Sequence, residues 1–284
     1  MKILVIGATG KTGRAVVDAL VARGAKVRAA SRKPGAASAA VEPVRFDWAD
    51  RETWRPALRG VEGLYIVGPY AEPDAKILVR DLLAIADDVR HVVLLSVLGA
   101  DLLPPAASMA TWERDVRESG KEWTILRPNW FMQNFGEGAF TAPLRDRGVL
   151  ELPAADAALS FVDTRDIAEV AATALTEAGH DGQVYEITGP QAFTHAEAMA
   201  LLGNAAGREL RYVAITPEQL ETRLHAAGAG ERTVAAQLGL FEVMRNGVNT
   251  PVSDVVKRVT GRAPRSLAEY AAEHAAAWQP TAAA

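Results

Sequence analysis

Three glycines, at positions 7, 10 and 13 in the stretch GATGKTG, stand between an apolar run and a helix-like segment. Their types and spacing suit one kind of chemistry. Gly7 lets the chain turn off a strand, Gly10 keeps a side chain away from an approaching phosphate, and Gly13 lets a helix pack close to the sheet. The free N–H groups and positive end of that helix then face an anion. With Thr9, Lys11 and Thr12 inside the loop and Arg14 beside it, the stretch predicts a site for the pyrophosphate of a dinucleotide.

The end of the second apolar run discriminates between dinucleotides. A carboxylate there grips the ribose 2′-hydroxyl of NAD. Residues 29–33 hold none, and Ser31, Arg32 and Lys33 stand in its place. A guanidinium forks onto a phosphate and stacks on a base, so NADPH is expected over NADH. Asp47, in FDWAD, either accepts from the adenine amino group or caps the next turn.

These residues need a frame to hold them. Apolar runs bounded by turn signals fall at 2–8, 26–32, 43–50, 63–69, 91–99 and 122–128, with helical patterns between them at 13–24, 51–60, 75–89 and 110–120. Strands alternating with helices predict an α/β fold, a doubly wound parallel sheet. Residues 1–155 are expected to form the dinucleotide domain. Residues 156–284 are expected to form a smaller, mostly helical substrate subdomain, with 161–190 returning to the sheet. Three helix starts carry capping boxes, at THAE (194–197), TPEQ (216–219) and SLAE (266–269).

Composition narrows the classes. The 284 residues are 49% hydrophobic and 23% charged, with net charge −4 and no cysteine, as in an ordinary soluble globular protein. Disulfides and thiolate catalysis are excluded, and nucleic acid is not an expected partner. No apolar run reaches transmembrane length and no leader pattern precedes the first strand, so a cytoplasmic protein, monomer or homodimer, is expected. Residues 1–34 carry eight basic side chains against one acid, Asp18, which reads either as a patch for an anionic ligand or as scattered surface charge. The five histidines have no metal-ligand spacing, so no metal is expected. Glu113 and Asp115 read as a solvent-facing pair, and Asp163 and Asp166 as helix caps.

The segments GATGKTG (7–13), FDWADRETWRPAL (46–58), WTILRPNWFMQNF (123–135), FVDTRDIAEV (161–170) and YEITGPQAFTHAE (185–197) resemble the NmrA-like, atypical branch of the short-chain dehydrogenase/reductases. The resemblance implies a Rossmann-type sheet and NADP(H)-dependent reduction, similar to quinone reductases, azoreductases and clavine dehydrogenases. The Tyr-x-x-x-Lys motif of the wider superfamily is absent, and SMATWERD (108–115) stands where it would fall. Ser96 matches the position of the superfamily's catalytic serine. Two functions follow. One is a reductase of quinones, enones or iminium ions, which accept hydride without a strong built-in acid. The other is an NADP(H) sensor that regulates a protein partner without turnover, as in some members of the branch.

Ligands of such sheets lie past the carboxyl ends of the strands. That edge presents Gly68, Pro69 and Tyr70, then Ser96 and Leu98, then Pro128, Asn129, Trp130, Phe131 and Met132. Gly68, Pro69, Ser96 and Pro128 are assigned to the cofactor. Tyr70, Asn129 and Ser96 are the candidate catalytic residues, and Tyr70 and Asn129 can hydrogen-bond a carbonyl oxygen. Trp112 is expected to face the substrate, and Trp130, Phe131 and Met132 read as pocket or core. Phe241 and Met244 are candidate contacts from the helical lid.

Overall fold

The computed structural model describes residues 1–70, 72 and 74–280. In chain order the strands are β1 (Lys2–Ile6), β2 (Lys26–Ser31), β3 (Val41–Arg45), β4 (Gly63–Val67), β5 (His91–Leu95) and β6 (Glu122–Pro128). They continue with β7 (Val149–Leu152), β8 (Ala158–Leu159), β9 (Gln183–Ile187), β10 (Phe193–Thr194) and β11 (Arg211–Ala214). The α-helices are α1 (Lys11–Ala22), α2 (Trp54–Leu58), α3 (Ala75–Leu83), α4 (Ser108–Arg117), α5 (Gln133–Glu137) and α6 (Thr141–Arg147). After them come α7 (Thr164–Thr176), α8 (His195–Ala206), α9 (Pro217–Ala226), α10 (Glu231–Arg245), α11 (Val255–Thr260) and α12 (Leu267–His274).

The chain divides into two units, the first made of Met1–Pro128, Thr164–Ile187 and Asp254–Arg262. It holds a seven-stranded parallel sheet in the order β3-β2-β1-β4-β5-β6-β9. The order reverses direction at β1, between β2 and β4, and in open parallel sheets such a switch is where ligands bind, past the carboxyl ends of the strands. Ile3, Leu4, Val5 and Ile6 of β1 are all buried, as are Val92 to Leu95 of β5. Runs apolar on both faces form parallel strands because helices cover each side. On one face Trp54, Leu82, Trp112 and Val116 pack on Leu64, Ile66, Val92 and Leu94. On the other, α1 packs on α7.

Part of the basic excess at the start of the chain is taken up in ion pairs. Arg23 pairs with Glu169 and Glu177, and Lys2 with Glu42. Arg28 is buried, donating to Glu42 at 2.8 Å and to the carbonyls of Ala57 and Arg59. Its acids lie elsewhere in the chain and were out of reach of a count over 1–34.

The second unit is made of Asn129–Asp163, Thr188–Ser253 and Ala263–Ala284. The boundary expected at 155 therefore falls at Pro128, because Met132, Phe135, Leu144, Leu150 and Leu152 belong to this unit's core. Two small sheets, β7 with β11 and β8 with β10, accompany the expected helices. Their strands of two to four residues are too short for a period-2 pattern to register. All three capping boxes form, on α8, α9 and α12.

His195 opens α8 with no accessible surface, its ring stacked on Tyr212 at 5.3 Å and edge-on to Phe161 at 5.6 Å. Neither ring nitrogen has a hydrogen-bond partner. Burial alone pushes its pKa down from 6.5 to about 4. The folded state holds the ring neutral, so below pH 6.5 the unfolded chain binds the extra proton and stability falls until the folded pKa is reached. About 2.5 pH units at 1.36 kcal/mol each amount to roughly 3 kcal/mol. Urea unfolding of wild type and His195→Leu at pH 7.5 and 4.5, a window that spans about 2 of those units, should show the acid loss shrinking by roughly 2.5 kcal/mol in the variant. Equal losses would mean that His195 is not the titrating group.

Candidate functional site

The glycine loop leaves β1 and enters α1 with each glycine in a different situation. Gly7 has φ +78°, and a Cβ there would lie 3.1 Å from that of Val67. Gly13 is pressed on the backbone, where a Cβ would stand 2.1 Å from the carbonyl oxygen of Gly7. Gly10 has φ −80°, ordinary for any residue, and an added Cβ would meet only the Gly7 oxygen, at 3.3 Å. Its N–H closes the turn onto that oxygen at 2.9 Å. Gly10 caps α1 without a side chain, and both it and Thr9 are exposed. The protein's own packing demands glycine at 7 and 13, whereas at 10 an added Cβ would press on one backbone oxygen and the exposed turn carries no side chain at the cap of α1. That is the fit a pyrophosphate needs.

At the end of β2, Ser31 is buried and donates to the Lys33 carbonyl at 2.8 Å, which shapes the turn. Arg32 and Lys33 follow, both exposed, and neither forms an ion pair with a described residue. Asp47 caps its own turn, one carboxylate oxygen accepting from the Ala49 N–H at 3.1 Å. Of the two roles expected for it, the cap is the one formed within the chain.

Past β4, Gly68 and Pro69 are buried and Tyr70 is 51% exposed. Its ring stands edge-on to Trp112 at 5.0 Å. Desolvation by the surrounding protein pushes its pKa up to about 12. The hydroxyl therefore keeps its proton at neutral pH. Residues 71 and 73, which follow it, lie outside the described residues.

Trp112 does not face a ligand. It has no accessible surface, donates its indole N–H to the Ala75 carbonyl and packs against Gly68, where a Cβ would fall 2.3 Å from the ring. Its role is to hold the Gly68–Tyr70 turn. Leu98 is buried too, its N–H bonded to the Pro128 carbonyl at 3.0 Å, which ties the ends of β5 and β6 together.

Glu113, read from sequence as solvent-facing, is 2% exposed. Its carboxylate accepts from Ser96, Arg127 and Arg117. The clue lay in spacing: Met109, Trp112, Glu113 and Val116 mark one face of a helix. Asp115 on the same helix is only half-buried. His91 is satisfied by Thr124 at 2.9 Å.

In the second unit, Asn129 is fully engaged. Its amide N–H groups go to Ser160 and the Asn249 carbonyl, both 2.7 Å, and its oxygen accepts from Trp130 N–H and the Asn249 amide, both 2.9 Å. It is 2% exposed and has no hydrogen bond left for a substrate oxygen. Asn129 is a structural clamp between segments 120 residues apart. Met132, Phe241 and Met244 are buried in the unit's core, at 1%, 4% and 0% exposure. Trp130 and Phe131 are half-buried, and Trp130 leans on Phe241 with ring centroids 5.9 Å apart. Asp163, expected as a cap, is buried and accepts from Gln133 at 3.0 Å; Asp166, expected as another cap, lies in the first unit and is buried too.

Among the described residues, no cluster of His, Asp or Glu is arranged to hold a metal ion, and no helix is long and apolar enough to cross a membrane.

The chain is 36% identical to an NAD(P)H azoreductase from Xenophilus azovorans, over 97% of this chain and 99% of that one. It is also 36% identical to a (4-alkanoyl-5-oxo-2,5-dihydrofuran-3-yl)methyl phosphate reductase from Streptomyces griseus, over 98% and 99% of the two chains. An NADPH-dependent quinone oxidoreductase from Escherichia coli, solved with NADPH, superposes with a TM-score of 0.82 at 25% identity, covering 96% of this chain and 99% of that one. Residues 1–271 match the NmrA-like family, and this chain belongs to it.

Proposed function

We propose that this protein is an NADPH-dependent reductase that delivers hydride to a conjugated small molecule such as a quinone or an enone. The observation that carries the reading is the turn at Gly10, exposed, with a backbone angle open to any residue and no side chain at the cap of α1. The relatives named above are reductases, one of them solved with NADPH.

The chain's residues divide the work. The amides at the start of α1 hold the pyrophosphate. Arg32 and Lys33, exposed and without acidic partners among the described residues, take the 2′-phosphate. Bound NADPH supplies the hydride, and Tyr70, protonated at neutral pH, offers its O–H to the substrate oxygen that gains charge. Positioning supplies much of the remaining rate.

Calorimetric titration with NADPH and NADH tests the cofactor half. Arg32→Ala should weaken NADPH by roughly 10- to 100-fold, the loss of a charge-assisted hydrogen bond, and leave NADH nearly unchanged. Equal losses for both would remove the phosphate clamp. Turnover of NADPH with a panel of quinones and enones tests the reductase half. Tight binding with no turnover would favour the sensor.

A further inference from the structure

Ser96 follows β5 at the carboxyl edge of the sheet, and its one hydroxyl proton goes to Glu113 Oε1 at 2.6 Å. That oxygen also accepts from Arg127 Nε at 3.0 Å, and Oε2 accepts from Nη2 of Arg127 and of Arg117, both at 2.9 Å. Four donors occupy the carboxylate. Burial by itself would raise its pKa, but the hydrogen bonds from Arg127 and Ser96 and the charges of the two arginines outweigh it and hold the group ionised. Glu113 thus has no proton to return to Ser96.

A hydroxyl free to rotate either donates or accepts, whereas one fixed on a carboxylate only accepts. No donor from the described residues reaches Ser96 Oγ, so its remaining lone-pair capacity is unused. The serine cannot hydrogen-bond a substrate oxyanion without abandoning an ionised partner.

We infer that Ser96, held by Glu113, is a hydrogen-bond acceptor in the cofactor site, taking an N–H or O–H of the nicotinamide half of NADPH, with Glu113 the positioning residue that sets this polarity. The inference rests on the NADPH-dependent reading above. The donor is either the carboxamide N–H or a hydroxyl of the adjoining ribose.

NADPH affinity, measured by calorimetry on wild type, Ser96→Ala, Glu113→Gln and the double variant, tests it. In Glu113→Gln the new amide N–H faces Ser96 and turns the serine proton toward the ligand, so donor meets donor. Ser96→Ala and Glu113→Gln should each weaken NADPH by about tenfold, the worth of one hydrogen bond. The double variant should bind no more weakly than Ser96→Ala, and Glu113→Asp should recover most of the affinity. A full additional loss from Glu113→Gln in the Ser96→Ala background would show that Glu113 acts on the fold alone, and would overturn the inference.

A second arm does not depend on Glu113→Gln folding. An NADPH analogue with acetyl in place of the carboxamide should bind wild type and Ser96→Ala equally if the carboxamide is the donor. It should show the same tenfold gap if the ribose is. Wild type that binds NADPH while Ser96→Ala binds it equally well overturns the inference and spares the functional reading. Wild type that binds no NADPH overturns both.

Discussion

Gly10→Ala should lose NADPH binding and keep its fold, while Gly13→Ala should lose both. At position 10 the added methyl meets one oxygen at 3.3 Å and needs no change of backbone angle. Alanine is a poorer helix cap than glycine, but it restricts the unfolded chain, and the two effects leave stability within about 1 kcal/mol of wild type. The same methyl stands over the helix amides. Displacing a pyrophosphate from two of them forfeits two charge-assisted hydrogen bonds of roughly 1.5–3 kcal/mol each, a loss of at least about 100-fold in affinity. At position 13 the methyl would lie 2.1 Å from the Gly7 oxygen and 2.6 Å from its carbonyl carbon. Backbone cannot rotate aside, so α1 must move off β1, an overpacking expected to cost about 3 kcal/mol or more. Thermal unfolding and NADPH titration on both variants separate the cases. A Gly10→Ala protein that binds NADPH normally would remove the pyrophosphate from this loop.

The second large effect is on stability. Glu113→Ala should destabilise the first unit by about 3–5 kcal/mol, because it leaves the buried Arg127 guanidinium without its main counter-charge. Arg127 side-chain exposure is 10%, and what remains to it is Asp101 at 3.0 Å, itself 58% exposed, with Glu186 at 4.0 Å. Glu113 titrates below its ordinary value of 4.5. Its contribution is therefore complete above pH 4.5 and is lost as pH falls through the lower folded value. Urea midpoints at pH 7 and in acid should converge for wild type and Glu113→Ala. Unfolding free energies that differ by less than about 1 kcal/mol at pH 7 would reduce the pair to the strength of a surface ion pair.

Features carried by short stretches were legible in the sequence. The strand–helix alternation, the three capping boxes and the loop at Gly7, Gly10 and Gly13 each depend on residues within one or two turns of one another, and each is present in the fold. The absence of a carboxylate beside Arg32 is equally local.

What only the tertiary structure decided concerns partners brought from afar. Glu113 meets Arg127 on β6 and Ser96 just past β5, and no local pattern distinguishes a paired buried carboxylate from an exposed one except its place on an apolar stripe. Asn129 is saturated by Asn249 and Ser160, so a residue chosen for its free amide has none. Trp112 is drawn inward because Gly68 offers its ring a surface without a side chain. Lys2, Arg23 and Arg28 find Glu42, Glu169 and Glu177. Sequence determines which groups a residue carries and what the chain does over a few positions. Whether a donor, acceptor or charge remains available for chemistry depends on which distant group folding places against it, because burial obliges each polar group to find a partner.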